Sequence, residues 1–255
     1  MIKRLLITRP LPAPVIAAAE SFAEVEVRGS NAPMDAGEMA AALAAYDAIV
    51  PTLGDACTAE VLAQGGRCGL LANFGVGYNH IDVAAAAAAG VAVTTTPGAV
   101  TDATADIALT LMLMAARRAG EGERLVRSGA WEGWHPPQLL GMHMSGKTVG
   151  IIGMGRIGQA IAALGPAGFL VNIARGDVID EAALIAALEA KTIAGAGLDV
   201  YENEPEVPAA LRARENVVLL PHLGTNALEV RIAMGRMAVE NVRAHFEGAP
   251  LINPV

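Results

Sequence analysis

Residues 148–152, Thr-Val-Gly-Ile-Ile, form an apolar run that ends in Gly153-x-Gly155-x-x-Gly158, and an apolar-periodic segment follows through Ile157, Ile161 and Leu164. Few folds accommodate a strand that enters a tight glycine turn and leaves it as a helix. Gly153 permits the turn, Gly155 lets backbone approach a pyrophosphate, and Gly158 lets the helix pack close to the strand. The helix start offers free N–H groups and the positive end of its dipole to that phosphate. A glycine turn also arises for packing alone, but strand before and helix after is the setting that dinucleotide binding requires. The segment therefore predicts an α/β, doubly wound parallel sheet that holds a dinucleotide.

The helix beyond the turn is too short. A β-α-β unit takes about 30 residues or more, and the acid that holds a dinucleotide's ribose comes about 20 residues after the glycines. Here Gly165-Pro166 interrupt the helix almost at once, and Phe169-Leu-Val-Asn172 begins a new apolar run. Asp177 stands 19 residues beyond Gly158 (177 less 158), at the ribose acid's distance. It does not suit that role: it comes after Arg175-Gly176 in a strand-to-helix loop. Asp180 and Glu181 beside it suit the first turn of a helix through Ala182–Ala190.

The first hundred residues alternate. Leu5–Thr8, Val25–Val27, Ala48–Val50, Leu70–Phe74 and Val91–Thr94 read as strands, and Ala13–Phe22, Ala36–Tyr46, Thr58–Ala63 and Val83–Ala89 as helices between them. Such alternation predicts a second parallel sheet covered on both faces. The alanine run Ala84–Ala89 suits a helix capped by Asp82 and closed by Gly90. Pro97-Gly98 marks a boundary, a long helix comes next near 102–118, and from there the chain reads as a loop, with Trp131, Trp134 and Pro136-Pro137. An amphipathic helix near 227–246 ends the chain.

With 255 residues and 53% hydrophobic content, the chain has enough for one large or two small domains with true cores. A net charge of −8 speaks against a nucleic-acid or anionic-membrane partner. The longest apolar stretch, Ile107 to Ala116, falls short of the roughly 18–20 residues of a membrane span. With Asp102 and Asp106 before it and Arg117-Arg118 after it, it reads as a buried core helix. The opening Met1-Ile-Lys-Arg-Leu-Leu-Ile-Thr8 becomes strand at once, which leaves no room for a signal peptide. Cys57 and Cys68 have neither metal-ligand nor redox spacing, so no metal site is expected and both read as reduced thiols in the cytoplasm.

Six stretches in chain order carry a specific resemblance. They are Asn73-Phe-Gly75-Val-Gly77-Tyr-Asn-His-Ile-Asp82, Thr96-Pro-Gly98 with Thr101-Asp-Ala-Thr104-Ala-Asp106, and Gly146 through Gly158. The others are Asn172-Ile-Ala-Arg175-Gly, Gly197-Leu-Asp199-Val-Tyr-Glu-Asn-Glu204-Pro and Pro221-His222-Leu-Gly224. Over nearly its whole length the chain resembles the D-isomer-specific 2-hydroxyacid dehydrogenases, and within them the glyoxylate and hydroxypyruvate reductases. The resemblance implies a flavodoxin-like substrate domain from residues 1–97 and 227–255, and a Rossmann cofactor domain from 98–226. It also implies a homodimer built through the cofactor domains and NAD or NADP as cofactor. Against the family, the span between Ala162 and Leu164 lacks the strand with the ribose acid, the adenine-pocket strands and their helices. The residue that separates NAD from NADP belongs to that span. Either the chain is shortened here, or residues of the protein are missing from the sequence as written. A sheet cut through its centre would expose strand edges and apolar faces, so omission, with a discontinuity near Ala163, is the expectation.

Reducing a 2-keto acid requires a hydride donor, a cation for the carboxylate or carbonyl oxygen, and an acid that protonates the developing alkoxide. Arg175 suits the cation, because its planar fork matches a carboxylate. His222 suits the acid–base, an imidazole being able to work in both directions around neutrality. Glu204 would hold the other ring nitrogen, fix the tautomer and favour the imidazolium. Their separations, 29 (175 to 204) and 18 (204 to 222), match the family's triad. By resemblance the cofactor would also meet Thr104, Ile157, Ala174 and Gly224. Arg156 would lie along its phosphates and Asp199 would hold its carboxamide. Val76 and Gly77 would face the substrate's carboxylate, with Leu53 beside them. The loop Val50-Pro-Thr-Leu53-Gly54 is neutral and apolar, which suits an unphosphorylated substrate. Trp131 and Trp134 read as loop anchors, with a contact to a neighbouring subunit's site left open. His80, His135, His143 and His245 read as structural or surface residues. A nucleotide-sensing, corepressor-like protein of the same fold is the other reading, and a complete triad speaks against it.

Overall fold

The computed structural model describes residues 2–98, 100–144, 146–147 and 167–255. The glycine turn and the expected discontinuity at Ala163 therefore lie outside the described residues. The chain divides into two compact units, residues 1–101 with 226–255, and residues 102–225.

The first unit runs β1 (Arg4–Ile7), α1 (Ala13–Glu20), β2 (Glu24–Val27), α2 (Ala36–Ala45), β3 (Ala48–Val50), α3 (Ala59–Leu62), β4 (Leu70–Ala72), α4 (Val83–Ala88) and β5 (Ala92–Thr94). The strands pair in parallel in the order β2-β1-β3-β4-β5, the flavodoxin-like winding. Strands buried on both faces read as continuous apolar runs, and Leu5, Leu6 and Ile7, with all of β3 and β4, are buried. At the sheet's edge, β2 alternates Glu24, Val25, Glu26, Val27, and its glutamates face water. Leu6, Ile49 and Leu71 pack with Met39, Leu43 and Leu62 on one face. On the other, Leu5, Ile7 and Leu70 pack with Val15 and with Met234, Val239 and Val242 of the final helix, Leu228–Glu247. Asp35, Asp82 and, in the second unit, Asp180 each cap a helix by accepting the third residue's N–H. Such a cap contributes about 1 kcal/mol.

The second unit begins with α5 (Thr101–Arg117) and α6 (Ala119–Arg127). It continues with β6 (Phe169–Asn172), α7 (Glu181–Glu189), β7 (Gly195–Leu198), α8 (Ala209–Arg212) and β8 (Val217–Leu219). Among the described residues its sheet is three-stranded and parallel, β6-β7-β8. Gly197 allows α5 to approach closely, since a Cβ there would lie 2.9 Å from the Leu111 Cβ. Leu184, Leu188, Ile193, Leu198 and Leu211 form the core.

The structure corrects three expectations. The stretch Ile107–Ala116 is helical but not a buried core helix. Leu111, Ala115 and Ala116 are buried, while Leu109 and Leu113 on another face are 55% and 53% exposed. One stripe packs on the sheet, and among the described residues nothing covers the other. Residues 119–127 are not loop but α6, whose two glycines hide it from pattern reading and whose Arg118–Glu121 and Glu123–Arg127 pairs support it. Trp134, at 80% exposure, does not anchor the loop, whereas Trp131, 49% exposed, donates its indole N–H to the Gln138 side-chain carbonyl within the loop at 3.4 Å.

Candidate active site

The chemistry-bearing residues of the second unit stand where β6, β7 and β8 end. Parallel strands deliver their carboxyl ends to one edge, where open α/β sheets bind ligands. Asp199 comes directly after β7 and is buried. Its N–H donates to the Asn172 carbonyl and its own carbonyl accepts the His222 N–H, each at 2.9 Å. Its carboxylate accepts the Leu223 N–H at 2.7 Å and the Gly224 N–H at 2.8 Å. Thr104 donates its hydroxyl to the Gly224 carbonyl at 3.1 Å. This clamp holds His222 at φ 55°, a left-handed conformation that a β-carbon disfavours.

In that position His222 Nδ1 lies 2.8 Å from Glu204 Oε2, with both side chains about one-third exposed. The second Glu204 oxygen accepts the Tyr201 N–H at 3.1 Å, so the carboxylate is fixed at both ends. Tyr201 reaches the Leu198 and Leu220 carbonyls with its hydroxyl, and burial raises that phenol's pKa. A hollow of about 350 Å³ opens beside the pair, lined by Tyr201, Pro205, Leu219 and Pro221 among others.

Arg175 leaves β6 on a loop tied by the buried Asn172. The Asn172 amide donates to the Arg175 carbonyl at 2.8 Å and accepts the Ala174 N–H at 3.0 Å. Arg175 also donates to the Ala174 carbonyl at 2.6 Å. Gly176 explains the Arg-Gly pair: a Cβ there would fall 1.9 Å from the Tyr201 carbonyl atoms. The Arg175 loop and the strand-end segment leading to Glu204 are thus pressed together, which only glycine allows. Asp177 sits in a short 3-10 turn, Gly176–Val178, before the helix that Asp180 caps.

In the first unit, Leu53, Val76 and Gly77 lie on loops after β3 and β4. The Asn73 amide donates to the Gly75 and Gly77 carbonyls at 3.1 and 3.0 Å. Those carbonyls are turned inward, and the Val76 and Gly77 N–H groups have no partner among the described residues. The Leu53 loop is held by Asp55, a fully buried carboxylate that accepts from Thr8 Oγ1 (2.6 Å), the Thr52 N–H (2.8 Å) and the Met34 N–H (2.9 Å). Arg9 reaches the same loop from the end of β1, donating to the Leu53 carbonyl at 2.9 Å and lying 3.5 Å from Asp55. The loop is neutral in sequence, yet a cation stands beside it and Asp55 balances it. Cys57 and Cys68 are free and buried, and burial pushes both thiols up to about 12.

Of the expected site residues, Gly153, Gly155, Arg156, Ile157 and Gly158 lie outside the described residues. The structure joins His222 to Glu204, and Thr104, Asp199 and Gly224 to one another. It adds Asn172, Tyr201, Asn73 and Asp55, which pattern reading passed over; buried polar residues at or just past the ends of parallel strands were the available signal. For the nicotinamide end of a dinucleotide the described residues fit. Each Asp199 oxygen takes one N–H, and a carboxylate offers about four acceptor positions, which leaves room for an amide donor.

The model of the family described as D-isomer specific 2-hydroxyacid dehydrogenase, catalytic domain, matches residues 5–255. The chain belongs to this family. A glyoxylate reductase of Pyrococcus furiosus is 34% identical over 311 positions, covering 96% of this chain and 93% of that protein. A glycerate dehydrogenase of Hyphomicrobium methylovorum is 31% identical, covering 98% of each. A crystal structure of an NADPH-dependent glyoxylate/hydroxypyruvate reductase from Sinorhizobium meliloti, in complex with NADP and malonate, superimposes with a TM-score of 0.86 at 30% identity. It covers 100% of this chain and 97% of that one. Since the P. furiosus alignment spans 311 positions, at least 56 of them (311 less 255) have no counterpart in this member of the family.

Proposed function

We infer that the protein reduces a small 2-keto acid, glyoxylate or hydroxypyruvate, to the 2-hydroxy acid with NADH or NADPH. The observation that carries this reading is the His222–Glu204 pair at 2.8 Å, supported by the reductases and the dehydrogenase to which the chain is similar. The reduced nicotinamide, when bound, supplies hydride to the carbonyl carbon. Glu204 accepts the Nδ1–H of His222, which leaves Nε2 to carry the proton that the carbonyl oxygen takes as it becomes an alkoxide. Glu204 also stabilises the imidazolium that precedes that transfer. Arg175 supplies the cation for the substrate's oxygens. Val76 and Gly77 donate N–H groups to its carboxylate, with Leu53 beside them. Thr104, Gly153, Gly155, Arg156, Ile157, Gly158, Ala174, Asp199 and Gly224 hold the cofactor.

In this reading the first unit is the substrate domain and the second the cofactor domain. The protein is a cytoplasmic homodimer built through its cofactor domains. Exposed Leu109, Leu113, Trp131 and Trp134 support the dimer, and the two buried thiols suit a reducing compartment. Among the described residues no helix is long and apolar enough to cross a membrane.

Turnover of glyoxylate with NADH or NADPH tests the activity. His222→Ala should then lower kcat at least ~100-fold, as loss of a general acid–base does, with cofactor affinity little changed; near-wild-type turnover sinks the assignment. Glu204→Gln should move the pH profile of turnover to lower pH, because a neutral partner favours the imidazolium less.

A further inference from the structure

Arg231 occupies the first turn of the final helix, half-buried, with its guanidinium 5.9 Å from the centre of the Phe74 ring. Its setting is unfavourable in three ways. Burial strips water from the charge and pulls its pKa down. The positive end of the helix dipole lies beside it. Among the described residues no carboxylate pairs with it, and residues 148–166 contain no Asp or Glu at all. Glu229 shares the turn, but residues two apart on a helix do not face each other. A cation–π contact offsets only part of this, about 0.5–2 kcal/mol.

Phe74, the ring beneath Arg231, is buried and immediately precedes Gly75-Val76-Gly77. There Asn73 turns two carbonyls inward and leaves the Val76 and Gly77 N–H groups without an acceptor. A desolvated cation lacking an acid thus lies over the Phe74 ring, and two backbone donors lacking an acceptor follow Phe74 by two and three residues in the chain. A small anion answers both deficits. We propose that Arg231 is a substrate-binding residue, supplying the positive charge for the carboxylate that the Val76 and Gly77 amides hold. The inference rests on the reading of those amides as the carboxylate seat. It assigns the first unit a cation of its own, besides the Arg175 of the second.

Oxalate, a planar carboxylate close in size to glyoxylate, is the probe, titrated calorimetrically into the full chain without cofactor. Arg231→Met keeps the aliphatic stem and removes the charge. It should weaken oxalate binding and raise KM for glyoxylate by about ten- to a hundredfold, as for a lost charge-assisted hydrogen bond, with kcat little changed. Arg231→Lys should recover most of the affinity. A role confined to packing on Phe74 would lower the Tm of Arg231→Met and leave oxalate affinity and KM unmoved; that result overturns the proposal. So does a folded Arg231→Lys that binds no oxalate, or a wild type that binds none. Failure of the functional reading is seen separately: a wild type that binds oxalate through Arg231 but does not turn over glyoxylate refutes the reductase and keeps the anion site.

Discussion

The two units are built on one plan and differ in how far they close it. In the first, five parallel strands carry helices on both faces, and each face has its own core. In the second, three described strands share one core, and apolar side chains along residues 109–140 stay exposed, among them Leu113, Trp134 and Leu140. Helix formation depends on caps and local pattern, and both units have these. Burial depends on what is laid over a helix once it has formed, and that is where α5 departs from its apolar sequence.

The contrast between the units is broken most directly at Gly176. Gly176→Ala forces a Cβ to within 1.9 Å of the Tyr201 carbonyl atoms and should cost on the order of 4 kcal/mol or more. Hydrogen exchange should accelerate in β6, β7 and β8 while the first unit keeps its protection. Equal acceleration in both units would show that they unfold as one. Truncating one core at a time is the next largest effect. Leu5→Ala and Leu184→Ala each remove a fully buried side chain and should each cost about 2–5 kcal/mol. Each loss should appear in exchange from its own unit, and a shared loss argues against two cores.

Arg175→Lys keeps the charge and loses the fork, so kcat/KM for glyoxylate should fall by the equivalent of about 1.5–3 kcal/mol. Full activity with lysine would rule out recognition by two parallel hydrogen bonds. The smallest effect belongs to His245 near the end of the final helix. Burial, with help from Lys3 and against Asp47, holds its pKa below the ordinary 6.5. The folded state therefore takes up a proton less readily than the unfolded chain. The stability it contributes is full above pH 6.5 and is lost as pH falls through the lower folded value. His245→Gln should flatten that part of the Tm-against-pH curve and leave the region above neutrality unchanged; an unaltered acid limb would remove His245 as the cause.

Most of the first unit was legible in its residues. Leu5–Thr8 and Leu70–Phe74 end a residue or two earlier as strands, at Ile7 and Ala72, because the chain turns away into loops there. Asp82 and Asp180 were readable as caps because capping is local. The His222–Glu204 contact was readable from a spacing, since two strand ends on one sheet edge bring distant residues together. Asp55 was not, because nothing local marks an acid that gathers donors from three segments. The exposed indoles were not either, since exposure is a property of neighbours. The expected break near Ala163 falls on undescribed residues, and the mass of the purified protein addresses it. A value of 26.1 kDa would mean that the short chain is the gene product, and several kDa more would mean that residues are missing from the sequence as written.

The left-handed backbone at His222 has a consequence for descent. At φ 55° a glycine or asparagine rests more easily than a histidine. In the proposed reaction, the residue that carries the proton is therefore not the one best suited to the turn. A gene copy kept only for its fold would be expected to lose this imidazole early, at little cost to folding, while the Asp199 clamp and both cores persist. Among descendants of such a chain, proteins that fold and do not catalyse would lie one substitution away.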